Sequence, residues 1–153
     1  MSVFKDEISF FGEFIMKIDV SRVDVWAASI EDRPGGLAEK LEVLARADVD
    51  LEFIIARRSS STPDIGVVFV SPIKGPRQTR AARKVGFEKT KSLHGVRVAT
   101  GNKPGFSGEL TKKIAGAGIN LRGYSGASIG NRAVIYLAFD SDADANKAMR
   151  LLK

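Results

Sequence analysis

One pattern occurs twice in this chain, and the repetition limits the folds that the chain can adopt. "DRPGGLAEKLEVLARADVDL" spans residues 32–51, and "NKPGFSGELTKKIAGAGINL" spans residues 102–121. The copies match without a gap at an offset of seventy positions, and the identical pairs include Pro34 and Pro104, Gly35 and Gly105, Glu39 and Glu109, Ala45 and Ala115, Ala47 and Ala117, and Leu51 and Leu121. A self-match of this length indicates an internal duplication, so we expect two copies of one folding unit.

Each copy has the hydrophobic pattern of a strand, a loop, a helix and two further strands. "WAASI" and "VRVAT" precede the two Pro-Gly loops and show the partial alternation of strands. The proline lies near the first helical turn, where its missing N–H costs nothing, and apolar residues follow at helical spacing. The runs "IGVVFV" and "AVIYLAF" predict strands that pair back on their predecessors, and each is followed by a second helical stretch, at 77–85 and 142–152.

The predicted fold class is α+β, with two ferredoxin-like β-α-β-β-α-β units in tandem and helices on one face of each antiparallel sheet. The domains are predicted at 22–93 and 94–153, with residues 1–21 as an N-terminal extension. A fourth strand follows at about 87–92 in the first copy. The sequence ends before its counterpart in the second copy, so that strand is either missing or supplied from elsewhere. Whether the extension is a helix or a strand, and whether it fills that position, stays open at this point.

Composition disfavours several kinds of active site. The sequence has no cysteine and one histidine, His94, which excludes thiolate metal ligands, disulfides and a cysteine nucleophile. "GYSGA" at 123–127 departs from a nucleophile elbow at its last residue, Ala127. His94 is interpreted as a linker residue. We therefore predict a protein that is not an enzyme and uses no cofactor or metal. No apolar run approaches the roughly 20 residues of a membrane span, and the predicted location is the cytoplasm.

Loop, helix and helix exit together resemble the ACT domain. The resemblance rests on a D/N-x-P-G loop before an amphipathic helix, on the exits "ADVDL" at 47–51 and "AGINL" at 117–121, and on their repetition at matching offsets over about residues 22–153. It implies a stand-alone pair of ACT domains that binds a small amino-acid-like effector between domains or subunits. It also implies a regulatory role, a homodimer and a regulated protein partner.

The resemblance places the ligand at the two Pro-Gly loops. A helix N-terminus offers unpaired N–H groups that suit a carboxylate, and a preceding glycine lets the backbone approach the ligand. The candidate binding residues are Asp32, Arg33, Pro34, Gly35, Gly36, Leu37 and Asp50 in the first copy, and Asn102, Lys103, Pro104, Gly105, Phe106 and Asn120 in the second. A role of the loops in folding alone is the alternative. Because the copies differ after Pro-Gly, the sequence leaves open which loop binds.

The second hypothesis for function is nucleic-acid binding through a basic segment. Residues 74–91 carry seven basic side chains and one acidic side chain, within a chain of net charge +6. RNA-recognition modules share the ferredoxin-like topology and place aromatic residues on central strands. In this chain the aromatic residues available for that role are Phe69, Tyr136 and Phe139. The motif that precedes such strands in RNA-recognition modules is missing, so nucleic acid is the disfavoured partner.

Overall fold

The structure is a computed structural model that describes residues 7–11 and 14–153, with side chains from Lys17 onward. The elements are β1 (Glu7–Phe11), β2 (Phe14–Val23), β3 (Trp26–Glu31), α1 (Gly36–Arg46), β4 (Phe53–Arg58), β5 (Ile65–Ser71), α2 (Gly75–Lys84), β6 (Glu88–Lys89), β7 (His94–Gly101), α3 (Phe106–Gly116), β8 (Gly123–Ile129), β9 (Arg132–Phe139) and α4 (Asp142–Leu152). Every strand and helix predicted from the repeat is present, although β6 is shorter than expected.

The strands form two antiparallel sheets, which confirms the predicted fold class. One sheet has the order β4-β5-β3-β6, and the other has the order β1-β2-β7-β9-β8. In both sheets alternate residues point toward the helices, as in Val68 and Val70 on β5 and Ile135 and Leu137 on β9, all of them buried. Each sheet therefore has its own core against its own pair of helices.

A strand from the N-terminal segment takes the fourth position in the sheet of the second repeat. β2 pairs with β7 from Ile18 opposite Thr100 to Val23 opposite Gly95. β6 takes the same position in the other sheet, where it pairs with β3. The Ile18 side chain is buried in the core, and the buried Thr100 hydroxyl donates a 2.9 Å hydrogen bond to the Lys17 carbonyl oxygen.

The chain accordingly divides into two compact units that do not follow chain order. One unit is Asp24–Lys91, and the other combines the segment that ends at Val23 with Ser92–Lys153. The ranges 22–93 and 94–153, drawn from the repeat alone, assign the N-terminal segment to neither unit. The first unit has its core around Trp26, Leu44 and Phe87.

A cluster of polar and charged side chains joins β2 to α4. Arg22 donates from Nη2 to Asp142 Oδ1 at 2.7 Å and from Nη1 to Asn146 Oδ1 at 2.8 Å. Asp142 Oδ1 also lies 2.9 Å from His94 Nδ1. His94 is the first residue of β7, so its interpretation as a linker residue was wrong. The hydrogen bond from Arg22, and after it the one from His94, lowers the pKa of the Asp142 carboxyl.

We expect Asp142→Asn to make the free energy of unfolding less sensitive to acid. The pKa of Asp142 in the folded protein lies below its ordinary value of 3.8, so the cluster contributes fully above that pH. The contribution is lost as the pH falls through the folded pKa. Urea unfolding at about pH 6 and about pH 3 should show a smaller loss of stability in the variant than in the wild type.

The matched control is Asp144→Asn, in the same helical turn, since among the described residues no hydrogen bond or ion pair joins the Asp144 carboxylate to Arg22 or His94. Equal acid sensitivity of the Asp142 variant and the wild type would contradict the assignment.

Candidate functional site

The two Pro-Gly loops share one backbone conformation. Gly35 has a φ of 86° and Gly105 a φ of 85°, a left-handed conformation that side chains with a Cβ rarely adopt. Each glycine carbonyl accepts the first helical hydrogen bond, from Glu39 N–H at 3.0 Å and from Glu109 N–H at 3.1 Å. The repeat predicted the position of the two loops, whereas the left-handed conformation of Gly35 and Gly105 was not predicted from the sequence.

A cavity of about 350 Å³ lies at the loop of the second repeat. The loop itself, the first turn of α3 and the facing strands β8 and β9 form its walls. Its lining residues are Asn102, Lys103, Pro104, Gly105, Phe106, Ser107, Gly108, Tyr124, Gly126, Ala127, Ser128, Ala133 and Ile135. The five loop residues predicted as binding residues, Asn102–Phe106, are thus brought together around one cavity.

The wall contributed by β8 was missed from the sequence. Tyr124, Gly126 and Ser128 alternate along β8, so they lie on the same face of the sheet. The Tyr124 hydroxyl donates a 2.5 Å hydrogen bond to Ser107 Oγ, which links β8 to the first turn of α3. The period-two spacing was present in "YSGAS", but the sequence did not show that this strand faces the loop.

In the first repeat, the charged side chains of the corresponding loop form ion pairs with other residues of the protein. Arg33 Nη2 donates to both carboxylate oxygens of Glu39, at 2.8 and 2.9 Å, and Arg33 Nε donates to Glu31. That hydrogen bond is the main reason why the pKa of Glu31 lies below its ordinary value. Arg58 Nε lies 3.0 Å from Asp32 Oδ2, so an arginine from β4 pairs with the loop.

The second repeat replaces most of these charges. Register and offset place Gly101 where the first repeat has Glu31, Asn102 where it has Asp32, and Ser128 where it has Arg58. Lys103 stands at the position of Arg33. Its ammonium forms no hydrogen bond or ion pair with the part of the chain that the structure describes. The cavity of the second repeat is therefore lined by a cation that none of the described side chains neutralises.

Four predicted residues lie elsewhere or pack inside the fold. Asp50 and Asn120 follow the C-terminal ends of α1 and α3, and helices of 11 residues put about 16 Å between those ends and the loops. The structure does not bring them to either loop. Gly36 is tightly packed, since an added Cβ would meet the Glu31 carbonyl oxygen at 2.1 Å. Leu37 packs against the core of its unit.

The remaining sequence motifs do not form a second site. "GYSGA" lies within β8 and is not followed by a helix, so it is not a nucleophile elbow. Among the described residues there is no group of three or more His, Cys, Asp or Glu side chains that could hold a metal ion. None of the helices in the described part of the chain is long and apolar enough to span a membrane.

The basic segment forms α2 and its flanks, and part of its charge is already paired. Arg77 contacts Asp48 at 2.8 Å, and Arg83 contacts Glu88 at 3.7 Å. Phe139, one of the three aromatic residues considered for base stacking, is fully buried in its core. It cannot offer its ring to a nucleotide in this fold, which weakens the nucleic-acid hypothesis.

No protein-family model matches the chain, and no curated protein sequence matches it. Several solved structures are similar to it. Protein BT0572 from Bacteroides thetaiotaomicron has a TM-score of 0.71 at 15% identity, over 86% of this chain and 88% of that one. The ligand-free regulatory subunit of aspartate kinase from Thermus thermophilus has a TM-score of 0.59 at 16% identity, over 88% and 93%.

A third similar structure is named as an allosteric enzyme. Aspartate kinase from Clostridium acetobutylicum matches with a TM-score of 0.55 at 15% identity, over 88% of this chain and 34% of its own. At such identities the likeness is one of fold. The resemblance to tandem ACT domains, first stated from the two loops, is confirmed at that level: the chain has the fold of an ACT-domain pair.

Proposed function

We propose that this chain is a non-enzymatic regulatory module that binds a small amino-acid-like effector at the Pro-Gly loop of the second repeat. The observation that carries the proposal is the cavity between that loop and β8. Its volume of about 350 Å³ lies at the small end of the range of ligand pockets, which suits a metabolite of amino-acid size. Fold alone does not define function, so the proposal rests on this site.

The chemistry of the cavity fits such a ligand. The amide of Asn102 and the hydroxyl of Ser128 can accept hydrogen bonds from an ammonium group, and Lys103 can attract a carboxylate. The apolar part of the cavity lining includes the largely buried residues Phe106, Ile135 and Ala133. A pocket of mainly apolar walls with a few convergent polar groups is the usual form of a small-molecule site.

The regulatory part of the proposal comes from the similar structures. Two of the solved structures with this fold are named as a regulatory subunit of aspartate kinase and as an allosteric aspartate kinase. We infer that this chain also acts on a protein partner, as a homodimer whose conformation depends on bound effector. The effector would act through its different affinities for two conformations.

A thermal-shift screen with the common amino acids tests the proposal. An effector at about 100 times its Kd should raise the free energy of unfolding by roughly 2.7 kcal/mol, which moves the midpoint by several degrees. Asn102→Ala should reduce the shift, whereas Asp32→Ala, the equivalent change in the first loop, should leave it unchanged. The proposal is wrong if no amino acid changes the midpoint and none releases or absorbs heat on titration.

A further inference from the structure

We propose that Lys103 binds the carboxylate of the effector, and that this carboxylate takes the place which Glu31 of the protein holds in the first repeat. The inference rests on the proposed function and adds the chemical class of the ligand. It also limits binding to one loop per chain, because in the first loop the protein already supplies the anion.

The first repeat shows which group fits beside the basic residue of the loop. Glu31 is the last residue of β3, and its carboxylate accepts a hydrogen bond from Arg33 Nε. Glu39, in the first turn of α1, accepts two more. The guanidinium thus lies between two carboxylates, one from the strand before the loop and one from the helix after it.

The second repeat keeps this frame but lacks the carboxylate on the strand. Gly101 is the last residue of β7 and pairs with Arg132, just as Glu31 pairs with Ile65 at the start of the neighbouring strand. Glu109 is retained in the first turn of α3, yet it forms no ion pair with Lys103 among the described residues. Gly101 directly precedes Asn102 and Lys103, both of which line the cavity.

The charge of the cavity lining indicates which class of ligand it can bind. Of the described residues that line the cavity, Lys103 is the one that carries a charge, and none is acidic. An unpaired cation at the edge of a partly enclosed site attracts anions, and a cationic side chain would find no counter-charge there. The inferred class is therefore a carboxylic acid with an uncharged or acidic remainder, and lysine and arginine are disfavoured.

Restoring the missing carboxylate should block the site. Gly101 has room for a side chain, since the nearest atom to an added Cβ is the Asn131 carbonyl oxygen at 3.8 Å. In Gly101→Glu the new carboxylate should pair with Lys103 as Glu31 does with Arg33, and affinity should fall at least about tenfold. Gly101→Gln has the same size without the charge, and it should bind within about threefold of the wild type.

Calorimetric titration of the two variants and the wild type decides the question, with each amino acid compared with its carboxamide and its 2-oxo acid. The wild type should bind the amino acid at least about tenfold more tightly than the carboxamide. Equal affinity for acid and amide would overturn the role of Lys103 but leave the proposed function standing. The role of Lys103 would also be overturned if Gly101→Glu bound the effector as tightly as the wild type, or if Gly101→Gln lost as much affinity as Gly101→Glu. Absence of binding to the wild type by every compound would instead overturn the proposed function.

Discussion

The double variant Asn102→Asp, Ser128→Arg is expected to lose effector binding by at least about a hundredfold. These substitutions transfer to the second repeat the pair that Asp32 and Arg58 form at 3.0 Å in the first. The guanidinium would extend from β8 toward the loop and occupy a cavity of only about 350 Å³. Stability should change by no more than about 1 kcal/mol, because an exposed ion pair contributes little. Titration calorimetry and urea unfolding measure the two effects separately.

A control for the added guanidinium is available one residue further along β8. Ile129 is 85% exposed and does not line the cavity, so Ile129→Arg adds the same group outside the site. That variant should bind the effector as the wild type does. If the double variant also kept its full affinity, the effector would have to bind somewhere other than this cavity.

The sequence predicted the local features of the fold because these depend on neighbouring residues. A Pro-Gly loop precedes a helix in both copies, and apolar spacing marks the buried side of α1 and α3. The duplication supports each assignment, because the same pattern of residues occurs in both copies. The loop residues around the cavity were predicted from the resemblance to ACT domains, with the chemistry of a helix N-terminus as support.

Features that depend on distant segments were not predictable in the same way. The apolar residues between Ile8 and Ile18 recur at helical spacing, yet the described parts of this segment are strands. Pairing with β7, far away in sequence, decides the conformation. Asp50 and Asn120 were misplaced for a related reason. β4 and β8 run in the same direction as the strands before the loops, so their last residues lie near the loops and their first residues lie at the opposite edge of the sheet.

The same pairing leads to the largest expected change in stability. Ile18→Ala should lower the free energy of unfolding by about 2–5 kcal/mol, because it removes a side chain that is only 1% exposed within a packed core. Urea unfolding should show the loss in the unit that contains β7. The matched control is Lys89→Ala on β6, the strand in the corresponding position of the other sheet. Its ammonium makes an exposed 3.0 Å ion pair with Asp24, worth less than about 1 kcal/mol.

Ile18→Ala should also weaken effector binding, although Ile18 itself does not line the cavity. β7 lies between β2 and β9 and ends at Gly101, directly before the loop that carries Asn102 and Lys103. Loosening one side of β7 should therefore populate conformations in which the loop is misplaced, so the apparent Kd for the effector should rise and the effector should raise the free energy of unfolding by less than in the wild type. A variant that lost stability but bound the effector as tightly as the wild type would show that β2 supports the core without positioning the loop.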